Sequence, residues 1–220
     1  MKKRFILPGF ALFLAISSFS QGNANQTNPK YEKAMLDNLK ILDTASAPGT
    51  IQFLANNFER IASAEKKEWI PFYYTAYCYT IIALNNPDKS QTDAIADKAE
   101  SYLKQAEELS GNNSENSCLH ALILSARILV DPMTRWQTLS IETSEYLSKA
   151  KSQNPENPRP FLLEANTKLR IPESLGGGKN AAKPIVEEAI KKFDSFKPEN
   201  AYSPNWGKKQ ALRLLQIVTS

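Results

Sequence analysis

An aromatic residue followed four positions later by alanine recurs along this chain at a constant spacing. The pairs are Phe58 with Ala62, Tyr102 with Ala106, and Tyr146 with Ala150, and successive pairs lie 44 residues apart. Residues four apart share one face of an α-helix, where a large side chain can pack beside a small one from a neighbouring helix. The recurrence therefore predicts an array of similar helical units, each burying its apolar face against the next.

A polar turn follows each pair, and a second apolar run follows each turn. The turns lie at 64–67, 110–113 and 154–157, and part of the last one recurs at 198–200. The apolar runs span 69–84, 118–130 and 161–169. No segment combines the alternation and the tight turns of β-hairpins. The sequence thus predicts an all-α fold, an α-α superhelix of about four helical hairpins closed by a C-terminal capping helix.

Periodicity and boundary residues together predict nine helices. They lie near residues 29–45, 49–64, 69–86, 91–110, 115–130, 139–153, 159–170, 179–194 and 204–218. Asp131-Pro132 reads as a helix stop, because the residue before proline avoids the α conformation. Ser203 and Pro204 read as the N-cap and first turn of the last helix.

The first twenty residues have the pattern of a secretory signal peptide. A basic start, Lys2-Lys3-Arg4, precedes a mostly apolar stretch at 5–19, and Ser18-Phe19-Ser20 supplies a small-x-small cleavage pattern. Gly22-Asn23-Ala24 is a second candidate cleavage site, and an uncleaved anchor is the alternative. We expect residues 1–20 to be removed and residues 21–220 to form one exported domain. The periplasm is the expected location, because no cysteine stands near the cleavage point to form a lipobox.

The net charge argues against nucleic acid and anionic membranes as partners. The full chain carries 27 basic and 23 acidic residues, but three of the basic residues lie in the predicted leader, which leaves 24 against 23. A nearly neutral domain lacks the basic surface that attracts polyanions.

The third repeat resembles the tetratricopeptide repeat family. Tyr146, Ala150 and the Asn-Pro-Glu-Asn turn at 154–157 match the end of the second helix of such a repeat. The period departs from the family's value of about 34 residues, and the extra residues are expected at 85–91, 131–138 and 171–178. More specifically, the chain is similar to exported tetratricopeptide-like proteins of Gram-negative bacteria. The resemblance implies a helical scaffold that binds a protein or peptide, of unknown identity, along its concave groove.

Applying the repeat spacing to the first helix of each hairpin gives a candidate partner-binding groove. Its residues are Tyr73, Thr80, His120, Arg127, Glu164 and Lys168. Spacings of three, four and seven residues keep such positions on one helical face. The alternatives are an ordinary solvated face and a structural protein that self-associates through its ends.

A glycine-rich turn at 176–178 precedes a predicted helix and offers a candidate anion contact at Gly177, Gly178 and Lys179. It departs from the phosphate-binding loop pattern, because Glu173 replaces the first glycine and Asn180 follows the lysine. A wide turn between helices is the simpler interpretation.

The sequence indicates a binding protein and not an enzyme. His120 is the single histidine, so neither a nucleophile–histidine pair nor a histidine-rich metal site can be assembled. No catalytic residue, metal ligand or cofactor is therefore expected. Cys78 and Cys118 lie in apolar helical stretches, which favours two buried thiols, with a bridge between hairpins as the alternative. Trp206 either closes the open end of the array or marks a partner site.

Overall fold

The computed structural model describes residues 28–45 and 47–220, so the predicted signal peptide lies outside the described residues. Within these residues the chain forms nine α-helices and no strand. The helices are α1 (Pro29–Thr44), α2 (Pro48–Ala64), α3 (Trp69–Asn85), α4 (Thr92–Ser110), α5 (Ser114–Ile128), α6 (Pro132–Gln153), α7 (Arg159–Arg170), α8 (Lys179–Ser195) and α9 (Lys208–Thr219). The all-α prediction is confirmed.

Consecutive helices pair as antiparallel hairpins that stack into a superhelix. Helices α1 and α2, α3 and α4, α5 and α6, and α7 and α8 form four hairpins, and α9 packs against α8. The odd-numbered helices α3, α5, α7 and α9 contact one another in sequence and form one layer. The even-numbered helices form a second layer, because the two helices of each hairpin alternate between the layers of a helical solenoid.

Helix α3 lies at the centre of the largest core cluster. It is apolar on nearly every side, and an unbroken stretch from Ile70 to Thr80 is buried. A helix that is hydrophobic all round must be covered on all faces. Helices α2, α4 and α5 cover most of it, and the segment before α9 covers the rest.

Trp206 packs against three clusters of the core. It packs against the cluster around α3, the cluster formed by α7, α8 and α9, and the smaller cluster between α5, α6 and α7. An indole at such a junction excludes water from several helix interfaces at once.

The start of α6 differs from the prediction. Helix α6 begins at Pro132 and not near 139, so Asp131-Pro132 starts a helix instead of ending one. The Asp131 carboxylate accepts a hydrogen bond from the backbone N–H of Thr134 at 3.3 Å. Proline is favourable at the first helical position because no hydrogen bond is lost there. The predicted insertion at 131–138 is therefore wrong, because these residues belong to the helix.

The start of α9 differs as well. Helix α9 begins at Lys208, so Ser203 is not an N-cap and Pro204 is not in the first turn. Gly207 precedes the helix with a φ of 115°, a conformation that favours glycine. The residues before it, 203–206, lie across α3 without forming a helix.

Candidate functional site

A cleft of about 770 Å³ lies between α1, α3 and α9. Leu39 and Leu42 of α1 form one side, and Leu212 of α9 lies on the other. Tyr74 and Tyr77 of α3 and Trp206 supply its aromatic surface. The walls are apolar and polar in similar shares, and the volume is typical of a small-molecule site.

The aromatic surface is held in a fixed arrangement. The indole ring of Trp206 stacks on Tyr77, with ring centroids 5.0 Å apart and an interplanar angle of 29°. Its Nε1–H donates a hydrogen bond of 2.8 Å to the hydroxyl of Tyr73. One face of the indole is therefore supported by α3 and its polar atom is satisfied inside the protein.

Hydrogen bonds from two helices hold the segment that carries Trp206. The Tyr74 hydroxyl donates to the backbone carbonyl of Ser203 at 3.2 Å. The guanidinium of Arg159, the first residue of α7, donates to the carbonyl of Pro204. This segment has no helical hydrogen bonds of its own, so these side chains fix its path.

Basic residues of α9 give the cleft a cationic edge. Lys209 Nζ lies 2.6 Å from Asp43 Oδ2 of α1, and Lys208 Nζ lies 2.9 Å from Asp194 Oδ1 of α8. Arg213 also lines the cleft, and among residues 28–45 and 47–220 no carboxylate pairs with it. An exposed guanidinium beside apolar walls suits a ligand that carries a carboxylate.

The phenols of the cleft remain protonated. Burial raises the pKa of Tyr74 and of Tyr77 far above the ordinary value, because a phenolate there would lose its hydration. The Tyr74 hydroxyl acts as a hydrogen-bond donor, to the carbonyl of Ser203.

Two residues of the predicted groove lie in the core. Tyr73 and Thr80 are 0% exposed. The Tyr73 hydroxyl accepts from Trp206, and the Thr80 hydroxyl donates to the carbonyl of Ala76 at 2.8 Å. The predicted groove is corrected at these positions, because the segment before α9 and the neighbouring helices cover α3 where an open surface was expected.

Three of the other four predicted groove residues are engaged with even-numbered helices. His120 lies 3.0 Å from Glu107 of α4 and stacks on Tyr146 of α6. Arg127 donates to two carboxylates of α4, and Glu164 pairs with Lys151 of α6. Lys168 is partly exposed. The structure does not bring these four residues into one cavity, and their role in partner binding stays a prediction.

The glycine-rich turn is not an anion-binding loop at Gly177 and Gly178. Their backbone N–H groups donate to the carbonyls of Pro172 and Lys168, at 3.1 Å and 3.0 Å. A Cβ on Gly178 would lie 2.3 Å from the Glu173 side chain, so a carboxylate covers this turn. Lys179 is exposed and is the first residue of α8. The predicted anion contact is therefore corrected at Gly177 and Gly178, and at Lys179 it stays a prediction.

Both cysteines are free thiols. Cys78 lies in the cluster around α3 and Cys118 in the cluster between α5, α6 and α7, and both are buried. Burial raises the pKa of each thiol, which disfavours the reactive thiolate. The buried-thiol interpretation is confirmed.

Sequence reasoning missed most of the cleft. Trp206 was singled out as a residue that either closes the array or marks a partner site. It packs against the core and lines the cleft, and a partner site there stays a prediction. Lys208 and Lys209, directly after Trp206-Gly207, were a usable signal, because an aromatic residue beside several cations suits an amphipathic ligand. Leu39, Leu42 and Tyr77 carried no such signal, because core and cleft positions look alike in sequence.

Residues 28–45 and 47–220 contain no cluster of histidine, cysteine, aspartate and glutamate suited to a metal ion. In the same part of the chain, none of the helices has the length and apolar character needed to cross a membrane.

Comparison with solved structures gives an informative relative. No family model matches the chain, and no curated protein matches it significantly. Among solved structures, the HusA haemophore from Porphyromonas gingivalis is 39% identical, with a TM-score of 0.77. The match covers 90% of this chain and 94% of the haemophore. An identity of this size over nearly all of both chains means that this protein belongs to the family of the HusA haemophore.

Proposed function

We propose that this protein is a haem-binding carrier and that the cleft between α1, α3 and α9 is its binding site. Membership in the family of a haemophore, at 39% identity, is the observation that carries the proposal. The protein would bind and release haem unchanged, so it would act as a binding protein and not as an enzyme.

The cleft suits the two chemically different parts of haem. The macrocycle is flat and largely apolar, and two carboxylates project from one edge. Trp206, Leu42 and Leu212 offer aromatic and aliphatic surface for the ring. Arg213 lies at the edge of the same cleft and can pair with a carboxylate. The volume of about 770 Å³ is within the range of sites for ligands of this size.

The residues favour binding of the porphyrin ring over ligation of the iron. Histidine, methionine, cysteine and tyrosine are the usual protein ligands of haem iron. His120, the single histidine, is paired with Glu107 and lies outside the cleft. The described residues of the cleft include Tyr74 and Tyr77, but both are buried, and the Tyr74 hydroxyl already donates to the carbonyl of Ser203. Affinity would thus come from buried ring surface and from carboxylate pairing.

Export would place such a carrier where haem outside the cell can be collected. The predicted signal peptide at 1–20 supports this part of the proposal. The tetratricopeptide-like groove with a protein partner is the weaker hypothesis, because Tyr73 and Thr80 are buried.

The test is an absorbance and fluorescence titration of residues 21–220 with haem, metal-free protoporphyrin and protoporphyrin dimethyl ester. We expect haem and the metal-free dicarboxylate to bind with affinities within about threefold of each other, since the residues offer little to the iron. Trp206→Ala should weaken the binding of haem and of metal-free protoporphyrin by about tenfold or more, because a stacking surface is lost. The matched control is Trp136→Ala, a partly exposed tryptophan on α6 outside the cleft.

The Arg213→Met variant distinguishes carboxylate pairing from binding of the porphyrin ring. It should weaken the dicarboxylate porphyrin by about fivefold and leave the dimethyl ester unchanged, because the ester has no charge to pair. Absence of haem binding by the unaltered protein, or equal losses in the Trp206 and Trp136 variants, would contradict the assignment.

A further inference from the structure

Arg159 is a charged side chain in the middle of the protein. It is the first residue of α7, its side chain is 0% exposed, and it does not line the cleft. A buried charge is costly unless its donors are satisfied, so its surroundings indicate what it contributes.

One end of the guanidinium group is held by α5 and by the turn before α7. Its Nη1 donates to Glu115 Oε1 at 2.9 Å and to Asn157 Oδ1 at 3.2 Å. Asn157 in turn donates to the same Glu115 oxygen at 3.0 Å. Two fixed acceptors therefore orient the plane of the guanidinium group.

The other end reaches the segment that carries Trp206. Nη2 donates to the backbone carbonyl of Pro204, 45 residues away in sequence. The guanidinium carbon lies 4.8 Å from the centroid of the Phe196 ring and 5.5 Å from that of Trp206. These distances are in the range of cation–π contacts, which are strongest where water is excluded.

We propose that Arg159 is the positioning residue of the cleft: it holds residues 203–206 so that the Trp206 ring forms the cleft wall, and it thereby sets ligand affinity without touching the ligand. This inference rests on the proposed function of the cleft. Three requirements point to arginine, namely a hydrogen bond to Pro204, a pair with Glu115 and a flat face toward Trp206. Lysine has a single point charge and cannot meet all three.

The experiment monitors Trp206 directly in the ligand-free protein. The chain has three tryptophans, so a Trp69→Phe, Trp136→Phe background leaves Trp206 as the single emitter. In this background we expect Arg159→Met to raise acrylamide quenching of Trp206 by about threefold, and Arg159→Lys to give an intermediate value. Arg135→Met is the matched control, because Arg135 pairs with Asp93 far from Trp206.

Haem titrations of the same proteins complete the test. Affinity should fall by about tenfold for Arg159→Met, less for Arg159→Lys, and not at all for Arg135→Met. Unchanged quenching and affinity in a folded Arg159→Met protein would overturn the inference. If the unaltered protein binds no haem while quenching still responds to Arg159, the proposed function fails and the positioning of Trp206 by Arg159 stands.

If the Arg159 variants do not fold, a variant that keeps Arg159 and changes its partner still tests the inference. Glu115→Gln preserves the shape of the carboxylate but removes the charge that anchors Nη1. Increased quenching of Trp206 together with weaker haem binding would support the inference. Unchanged values in folded Glu115→Gln protein would overturn it.

Discussion

Gly207 shows how one residue shapes the cleft. Its φ of 115° is unfavourable for any residue with a side chain. A Cβ at this position would also lie 2.5 Å from Cζ of Phe193. Glycine thus allows the chain to turn sharply from Trp206 into α9, which brings the aromatic wall and the basic residues of α9 to the same cleft.

Gly207→Ala should lower the free energy of unfolding by about 2–3 kcal/mol, because it combines backbone strain with a steric clash. Gly111→Ala is the control, since Gly111 has a φ of 68° but open space around its Cα. Gly111→Ala should lower the free energy of unfolding by about 1 kcal/mol. Urea denaturation measures both. Equal losses in the two variants would mean that the contact with Phe193 adds no constraint.

At the scale of elements, α6 shows why helix boundaries are hard to predict. A proline both ends a preceding helix and begins the next one, and the sequence does not distinguish these roles at Asp131-Pro132. The carboxylate of Asp131 resolves the ambiguity in the folded protein. It accepts from the hydroxyl of Thr134 at 2.6 Å as well as from its N–H, as an N-cap does.

Asp131→Ala should lower the urea midpoint at neutral pH, because the cap is lost. The Thr134 hydroxyl, followed by its N–H, lowers the pKa of the Asp131 carboxyl below its ordinary value. The stabilisation is therefore complete above the unfolded pKa of about 4 and is lost as the pH falls through the lower folded value. Asp131→Asn, which keeps the acceptor without titrating, is the control. A difference between the wild type and Asp131→Ala that persisted unchanged in acid would contradict this account.

At the scale of the whole molecule, the cleft brings the two ends of the described chain together. Asp43 of α1 and Lys209 of α9 are 166 positions apart and form an ion pair across it. Tyr31 of α1 also packs edge-on against Tyr202, with ring centroids 5.4 Å apart. The terminal elements of a helical array have fewer neighbours than the central ones, so they open first.

Haem should therefore slow amide hydrogen exchange in α1 and α9 together. A ligand that contacts both helices stabilises the closed arrangement by mass action. Helix α6, which does not line the cleft, serves as the internal control in the same mass-spectrometry experiment. Protection confined to α5 and α7 would instead favour the groove that the repeat spacing predicted.

The sequence by itself determined the all-α class, the hairpin repeat and the buried thiols. These follow from local periodicity, because a helix of fixed pitch places every third or fourth residue on one face. The tetratricopeptide resemblance correctly implied stacked hairpins but led to an open groove along α3. Tyr73 and Thr80 were assigned to that groove because periodicity identifies a face without revealing what covers it.

Only the tertiary structure decided that residues 203–206 cover α3 and that α1 and α9 share a cleft. Such contacts join residues far apart in sequence and depend on a single backbone turn at Gly207 and on the buried guanidinium of Arg159. No periodic sequence pattern predicts these contacts, because each contact occurs only once along the chain. The physical reason is that each repeat packs against its neighbours in sequence, so its contacts follow from the local pattern. A site between the first and last helices instead depends on the arrangement of all the helices between them.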